Sequence, residues 1–140
     1  MNYYARLQHT GGSWFPGDTT VLGESCIQLT SLKLDLSKRL ITIVPRNPAV
    51  DAVFFAKALV SGEHLPHVEI EATEIVAYTQ HLMVKHLFTN SVITKYGRTG
   101  NMAGPQMAAV QVEFTFEKMT VVYGPPFIQS PGLTQPLLLL

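Results

Sequence analysis

Val110-Gln111-Val112-Glu113-Phe114-Thr115-Phe116-Glu117 is the stretch that decides the fold class. Apolar and polar residues alternate strictly along it. That period of two marks a strand with one face in a core and one face turned away from it. Val110, Val112, Phe114 and Phe116 make the inward face. Gln111, Glu113, Thr115 and Glu117 make the outward one. A slip of one residue would bury both carboxylates, so the register is nearly forced. The outward face is too polar for a dry interface core. It is the candidate lining of a water-filled lumen or of a wet seam between subunits.

Working outward, Met119 to Tyr123 continues the strand after a slip in phase. Gly97 to Pro105 carries three glycines and a proline and is expected to be a loop. Tyr78 to Tyr96 reads as a long strand with apolar residues on both faces. Its His81 and His86 have opposite parity, which predicts opposite faces. Val68, Ile70 and Ala72 alternate with Glu69 and Glu71, a half-exposed strand with the two acids on a solvated face. Ser61 to Pro66 reads as a turn. Tyr3 to Leu7 is a short first strand, and Leu40 to Val44 is another. Between them, Cys26 to Leu36 alternates in one phase through Leu29 and in the other from Leu32, with a β-bulge or bend expected at Thr30-Ser31.

Asp51 to Val60 is the one good helix candidate. Pro48 suits its first turn and Gly62 its C-terminal cap. Val53, Phe54 and Ala58 are the face expected to pack on the sheet. Gly124-Pro125-Pro126 ends the ordered pattern. Mostly β sequence with hairpin connections implies an antiparallel β-barrel of about six or seven strands with one flanking α-helix, because closure removes exposed edges. The domain is expected to span residues 1–124. Residues 125–140 are expected to form a C-terminal tail, either flexible or docked on a neighbouring subunit.

Composition narrows the function. Apolar residues make up 46% of the 140, enough for a substantial core. Charged residues make up only 14%, against about 25% in ordinary soluble domains, so part of the surface is expected to be covered by a partner. Ten basic and ten acidic residues cancel. Nothing electrostatic points to nucleic acid, and no apolar run approaches the ~20 residues of a membrane span. Cys26 is the lone cysteine, so no intrachain disulfide forms. The first residues lack the charged-then-apolar layout of a signal peptide.

No constellation supports catalysis. His9, His64, His67, His81 and His86 do not make a metal set, and Cys26 is the sole thiol. Ser61 lacks the strand-turn-helix nucleophile elbow. Glu69, Glu71 and Glu74 read as solvated rather than as an acid–base pair. Gly97-Arg98-Thr99-Gly100-Asn101 has no Gly-Lys-Ser/Thr to make a phosphate loop. No catalytic residue, metal or cofactor is expected.

The order of motifs is more specific than any one of them. Ala58-Leu59-Val60-Ser61-Gly62-Glu63-His64-Leu65-Pro66 runs into Val68-Glu69-Ile70-Glu71-Ala72. A long strand ending Phe88-Thr89-Asn90-Ser91-Val92 follows, then the glycine-rich segment, then Val110 to Phe116 and, seven residues on, Tyr123. Over residues 22–124 this resembles the hemolysin-coregulated protein family, the tube proteins of bacterial type VI secretion. The resemblance implies a β-barrel with a flanking helix, assembled as a homohexameric ring. Such rings stack into a tube that is expelled from the bacterial cytoplasm without a cleaved signal peptide and can carry effectors in its lumen. It implies sheath, baseplate and spike components as partners. Two features depart from the family pattern. Ser37-Lys38-Arg39 leads almost at once into Leu40, where many members carry a long glycine-rich loop that contributes to ring stacking. The tail also ends in Leu137 to Leu140. Two further readings share the barrel: a tail-tube protein of a phage-like contractile injection system, and a small-ligand-binding barrel.

Overall fold

A computed structural model describes residues 1–98 and 109–124. Within them the elements run β1 (Asn2–Leu7), β2 (Thr19–Val21), β3 (Glu24–Asp35), β4 (Leu40–Pro45), α1 (Ala52–Ser61), β5 (His64–Val76), β6 (Thr79–Arg98), β7 (Val110–Thr115) and β8 (Lys118–Tyr123). Every pairing is antiparallel, and the ladders close on themselves. β1 pairs with β5, β5 with β6, β6 with β7, β7 with β4, β4 with β3, and β3 with β1 again. This is the expected barrel. β2 and β8 lie off the ring of ladders, on β3 and β6 respectively. The glycine-rich loop enters this description only at Gly97 and Arg98, which belong to β6. The expected tail over residues 125–140 lies outside the described residues.

The 20-residue β6 organises the barrel. β5 runs along one of its edges. Along the other, β7 pairs with Val92–Arg98 and β8 pairs with Val84–Thr89, one after the other. The phase slip expected between Phe116 and Met119 is the junction of those two ladders. Opposite it, Asn90 takes a left-handed φ of 52°. The junction leaves no orphaned donor: the Phe116 N–H donates to the Arg39 carbonyl at 3.2 Å, and the Glu117 N–H to the Thr89 carbonyl at 3.0 Å. In β3 the register shifts between Leu29 and Ser31, where the sequence pattern changes phase. Leu36 falls just beyond that strand and is exposed.

Large apolar side chains are buried in the barrel interior. Ile41, Ile43, Val112 and Phe114, from the paired strands β4 and β7, are fully buried, and Val68, Ile70 and Phe88 face them from β5 and β6. Removing such surface from water is the main favourable contribution to a fold of this kind, at about 25 cal/mol per Å².

Four expectations are corrected. α1 forms where the sequence places it, and Gly62 caps it at φ 68° with its N–H on the Ala58 carbonyl at 3.0 Å. Its buried face is rotated, however. Phe55 and Ala58 are buried, Phe54 is half-buried, and Val53 is 61% exposed. A helix that is apolar nearly all round gives periodicity nothing to choose between. Pro48 lies in the approach to the helix, because left-handed Asp51 stands between them.

The turn expected at Ser61 to Pro66 is half strand, since β5 begins at His64. Pro66 is tolerated there because β1 stops pairing with β5 at Val68. Glu71, expected on a solvated face, is 3% exposed. The outer face of the barrel is covered at that point. Tyr4, Val21 and Cys26 form a small second apolar cluster on it.

Candidate assembly surfaces

The outward face of β7 has the register that the alternation demands. Val112, Phe114 and Phe116 are buried, whereas Gln111, Glu113 and Thr115 are half-exposed and Glu117 is exposed. Glu113 stands across from Lys95 on β6 and Thr42 on β4. Thr115 stands across from Val92 and Leu40, and Gln111 across from Gly97. Glu117 is not on the strand but in the link to β8. There its Oε2 accepts a hydrogen bond from Asn90 Nδ2 at 2.8 Å, and Asn90 Oδ1 lies 2.7 Å from His64 Nδ1. The four residues therefore form a three-residue strand face and a separate corner.

A second polar surface was invisible in the sequence. Five side chains form a line across β3, β1, β5 and β6. Arg6 joins Glu24 at 2.6 Å to Glu69 at 3.3 Å, and Lys85 joins Glu69 to Glu71, each at 3.4 Å. Burial works against the charge on Lys85, but Glu71 and Glu69 outweigh it and hold the ammonium above its ordinary pKa. The same cover pushes the Cys26 thiol up to about 11: burial acts first, then the Glu71 carboxylate, with Arg6 opposing. A thiol so held is a packing group, not a nucleophile.

The histidines are scattered. His9 stacks on Phe15, centroids 4.3 Å apart, and lies 3.4 Å from Glu63. A register shift between Ala72 and Thr73 overturns the parity argument for His81 and His86. They stand opposite Glu74 and Ile70, which are four apart on β5, so both lie on one face. Burial lowers the His86 pKa, and its ring stacks over Phe88. Among the described residues no group of three His, Cys, Asp or Glu side chains is placed to hold a metal ion.

Two apolar surfaces stand exposed among the described residues. The outer stripe of α1 is Val53, Ala56, Lys57 and Val60, all exposed, with Val60 at 88%. The β5–β6 hairpin also projects as an arm. β1 reaches β5 only as far as Thr73, and β8 reaches β6 only as far as Val84. Beyond those points the ladder continues as Glu74↔His81, Ile75↔Gln80 and Val76↔Thr79, tied back to β1 by the Met1 ammonium on Glu74 at 2.9 Å and by Gln80 Nε2, which donates to the Tyr4 hydroxyl at 3.3 Å. The arm turns through Ala77 and Tyr78, at φ 52° and 64°. Two successive left-handed residues make a turn that strongly favours Asn and Gly, and neither is present. Tyr78 is wholly exposed at 102%, and Ile75 is 62% exposed.

No family model and no curated protein matches the sequence. Solved structures do match. Hcp1 from the E. coli EAEC 042 pathovar superposes with a TM-score of 0.73 at 18% identity, covering 88% of this chain and 91% of its own. This is the Hcp fold. The secreted protein Hcp3 from Pseudomonas aeruginosa shares it at a TM-score of 0.68 and 16% identity, over 86% of this chain and 91% of its own. The baseplate of the anti-feeding prophage, solved with six-fold symmetrisation, matches at a TM-score of 0.57 and 11% identity, over 86% and 92%. The Hcp fold thus extends beyond the residues 22–124 that carry the sequence resemblance. Between β3 and β4 this chain makes a four-residue turn, Leu36–Arg39, pinned by Ser37 Oγ and the Lys38 N–H, which donate to Asp35 at 2.7 and 3.2 Å.

Proposed function

We propose that this chain is a structural subunit of a type VI secretion tube. It assembles as a homohexameric ring, the rings stack, and the tube is secreted with effectors in its lumen. Sheath, baseplate and spike components are its partners, and no catalytic step is assigned to it. The observation that carries this reading is the Hcp fold, matched over nearly nine-tenths of this chain and of its counterpart. The low charge and the open apolar surfaces support it, since a ring subunit hides such surface against its neighbours. In this reading the outward face of β7 (Gln111, Glu113 and Thr115, with Glu117 at its corner) turns to the water-filled lumen or to a wet subunit seam.

The baseplate match favours a second reading, a tube component of a phage-like contractile injection system, at lower similarity. The ligand-barrel reading has no support, because large side chains such as Phe88 and Phe114 fill the interior. Light scattering on the purified protein tests the ring. A mass about six times 15.5 kDa is expected. A strict monomer at high concentration refutes it.

A further inference from the structure

We propose that a polar cleft on the outside of the barrel binds a small dipolar ligand, one with an ammonium and a carboxylate at the two ends of a short carbon chain. The cleft lies where β2, β3 and the link from β4 to α1 meet, and its volume is about 420 Å³. Small-molecule sites run from about 300 to 1,000 Å³. None of its lining residues belongs to β7 or to the apolar barrel interior. It is built within one chain, so it is independent of whether rings form.

Both walls are pinned to β3. On one side Gly17 takes a φ of 68° and packs so closely that a Cβ there would lie 2.4 Å from the Cys26 carbonyl oxygen. The Asp18 N–H donates to that carbonyl at 3.1 Å, and the Gly17 N–H donates to Asp51 Oδ2 at 2.9 Å. These bonds fix the backbone and leave the Asp18 carboxylate at the rim. On the other side the Arg46 N–H donates to the Gln28 carbonyl at 2.8 Å, and Arg46 Nη1 donates to Gln28 Oε1 at 3.2 Å. Asn47 Oδ1 accepts from the Ala49 N–H at 3.0 Å, which leaves Asn47 Nδ2 as a donor. A cleft so fixed costs little to organise when a ligand arrives.

The cleft holds one charge of each sign, Asp18 and Arg46, and neither is in an ion pair among the described residues. Asp18 immediately precedes β2 and Arg46 immediately follows β4, with β3 between them. Their backbones are therefore two strand spacings apart, roughly 10 Å. Gln28 holds the guanidinium on its own side of that gap. The Asp18 end is reinforced by Asp51: burial raises the Asp51 pKa most, and the Asp18 carboxylate adds to the rise. A cation belongs at that end. An anion belongs at Arg46, whose planar guanidinium takes a carboxylate through two parallel hydrogen bonds. Thr19 and Asn47 add polar partners, and Pro48 gives apolar surface to the carbon chain between the charges. A ligand with both charges on one carbon is too short to reach across β3.

The probe is ε-aminocaproate, followed by saturation-transfer NMR on the full chain, with hexylamine, hexanoate and glycine as controls. Saturable binding of ε-aminocaproate is expected, with each control about tenfold weaker or worse. Asp18→Asn should weaken ε-aminocaproate about tenfold and leave hexanoate unchanged, and Arg46→Gln should do the same and leave hexylamine unchanged. The swap Asp18→Arg with Arg46→Asp should return binding to near the parental level, because the ligand turned end for end meets the same two charges. Circular dichroism checks that each variant is folded. Absence of saturable binding to the parent overturns the site, as does a folded Asp18→Asn or Arg46→Gln variant that binds like the parent. Glycine binding as tightly as ε-aminocaproate overturns the spacing. A folded swap that fails to recover binding overturns the pairing of charges.

Discussion

The Arg6 guanidinium lies 4.1 Å above the centre of the Trp14 ring. Its edge is meanwhile held by Glu24 and Glu69, so one side chain joins the β1–β2 loop to two strands of the barrel. Arg6→Leu keeps most of the apolar stem but takes the Arg6 partner from both carboxylates, leaving Glu69 to Lys85 alone. A loss of about 1–3 kcal/mol is expected in urea unfolding. Trp14 is the only tryptophan, so its fluorescence should change in the folded variant before any unfolding.

Phe55, not Phe54, should be the residue on which helix docking depends. Phe55 is fully buried between Phe15 and Tyr96, at centroid distances of 5.3 and 5.5 Å. Phe55→Ala is expected to cost roughly 3–5 kcal/mol. Phe54 is half-buried against Phe15 and His9, so Phe54→Ala should cost about half as much. Parallel denaturation curves decide the order, and equal costs would mean the helix face is wrongly assigned.

His86 predicts an acid-sensitive barrel. Burial lowers its pKa from the ordinary 6.5, so the folded state binds its proton less readily than the unfolded chain does. Stability contributed by the neutral ring is present above pH 6.5 and is lost as pH falls through the unfolded and then the folded pKa. Unfolding free energy measured between pH 7.5 and 5 should decline for the parent and decline less for His86→Gln.

Charge reversal separates the β7 strand face from its corner. Glu113→Lys loses a cross-strand position opposite Lys95, worth about 0.2–1 kcal/mol, and should leave the monomer folded. Glu117→Lys removes the carboxylate that accepts from Asn90, so it should cost about 1 kcal/mol more. If the outward face lines a lumen or a seam, Glu113→Lys changes ring mass or cargo retention by light scattering and co-purification. A double variant that unfolds outright would place these side chains inside.

The parts of the fold that the sequence carries are those where burial follows chain periodicity. β7, the bulge after Leu29 and the Gly62 cap each depend on a local rule that a few residues satisfy. The helix face failed because Val53, Phe54 and Phe55 are equally apolar. Glu71 failed because alternation predicts which residues point out of a barrel, not whether something lies over them. The three residues of β2 are too short for any periodic signal. For the candidate site, the β7 face was legible as a pattern, whereas the arm was not. Its exposure depends on where the ladders of β1 and β8 stop, and nothing within Ile75 or Tyr78 encodes that. The charge line from Glu24 to Glu71 joins residues from four strands, so only the registers bring it together.

The placement of β7 and β8 in series along β6 has a mechanical consequence. Antiparallel hydrogen bonds lie across their strands, so a force directed along β6 loads them side by side in shear instead of opening them one at a time. β5 does the same along the opposite edge. A subunit pushed or pulled along that direction resists with all of its longest ladders at once.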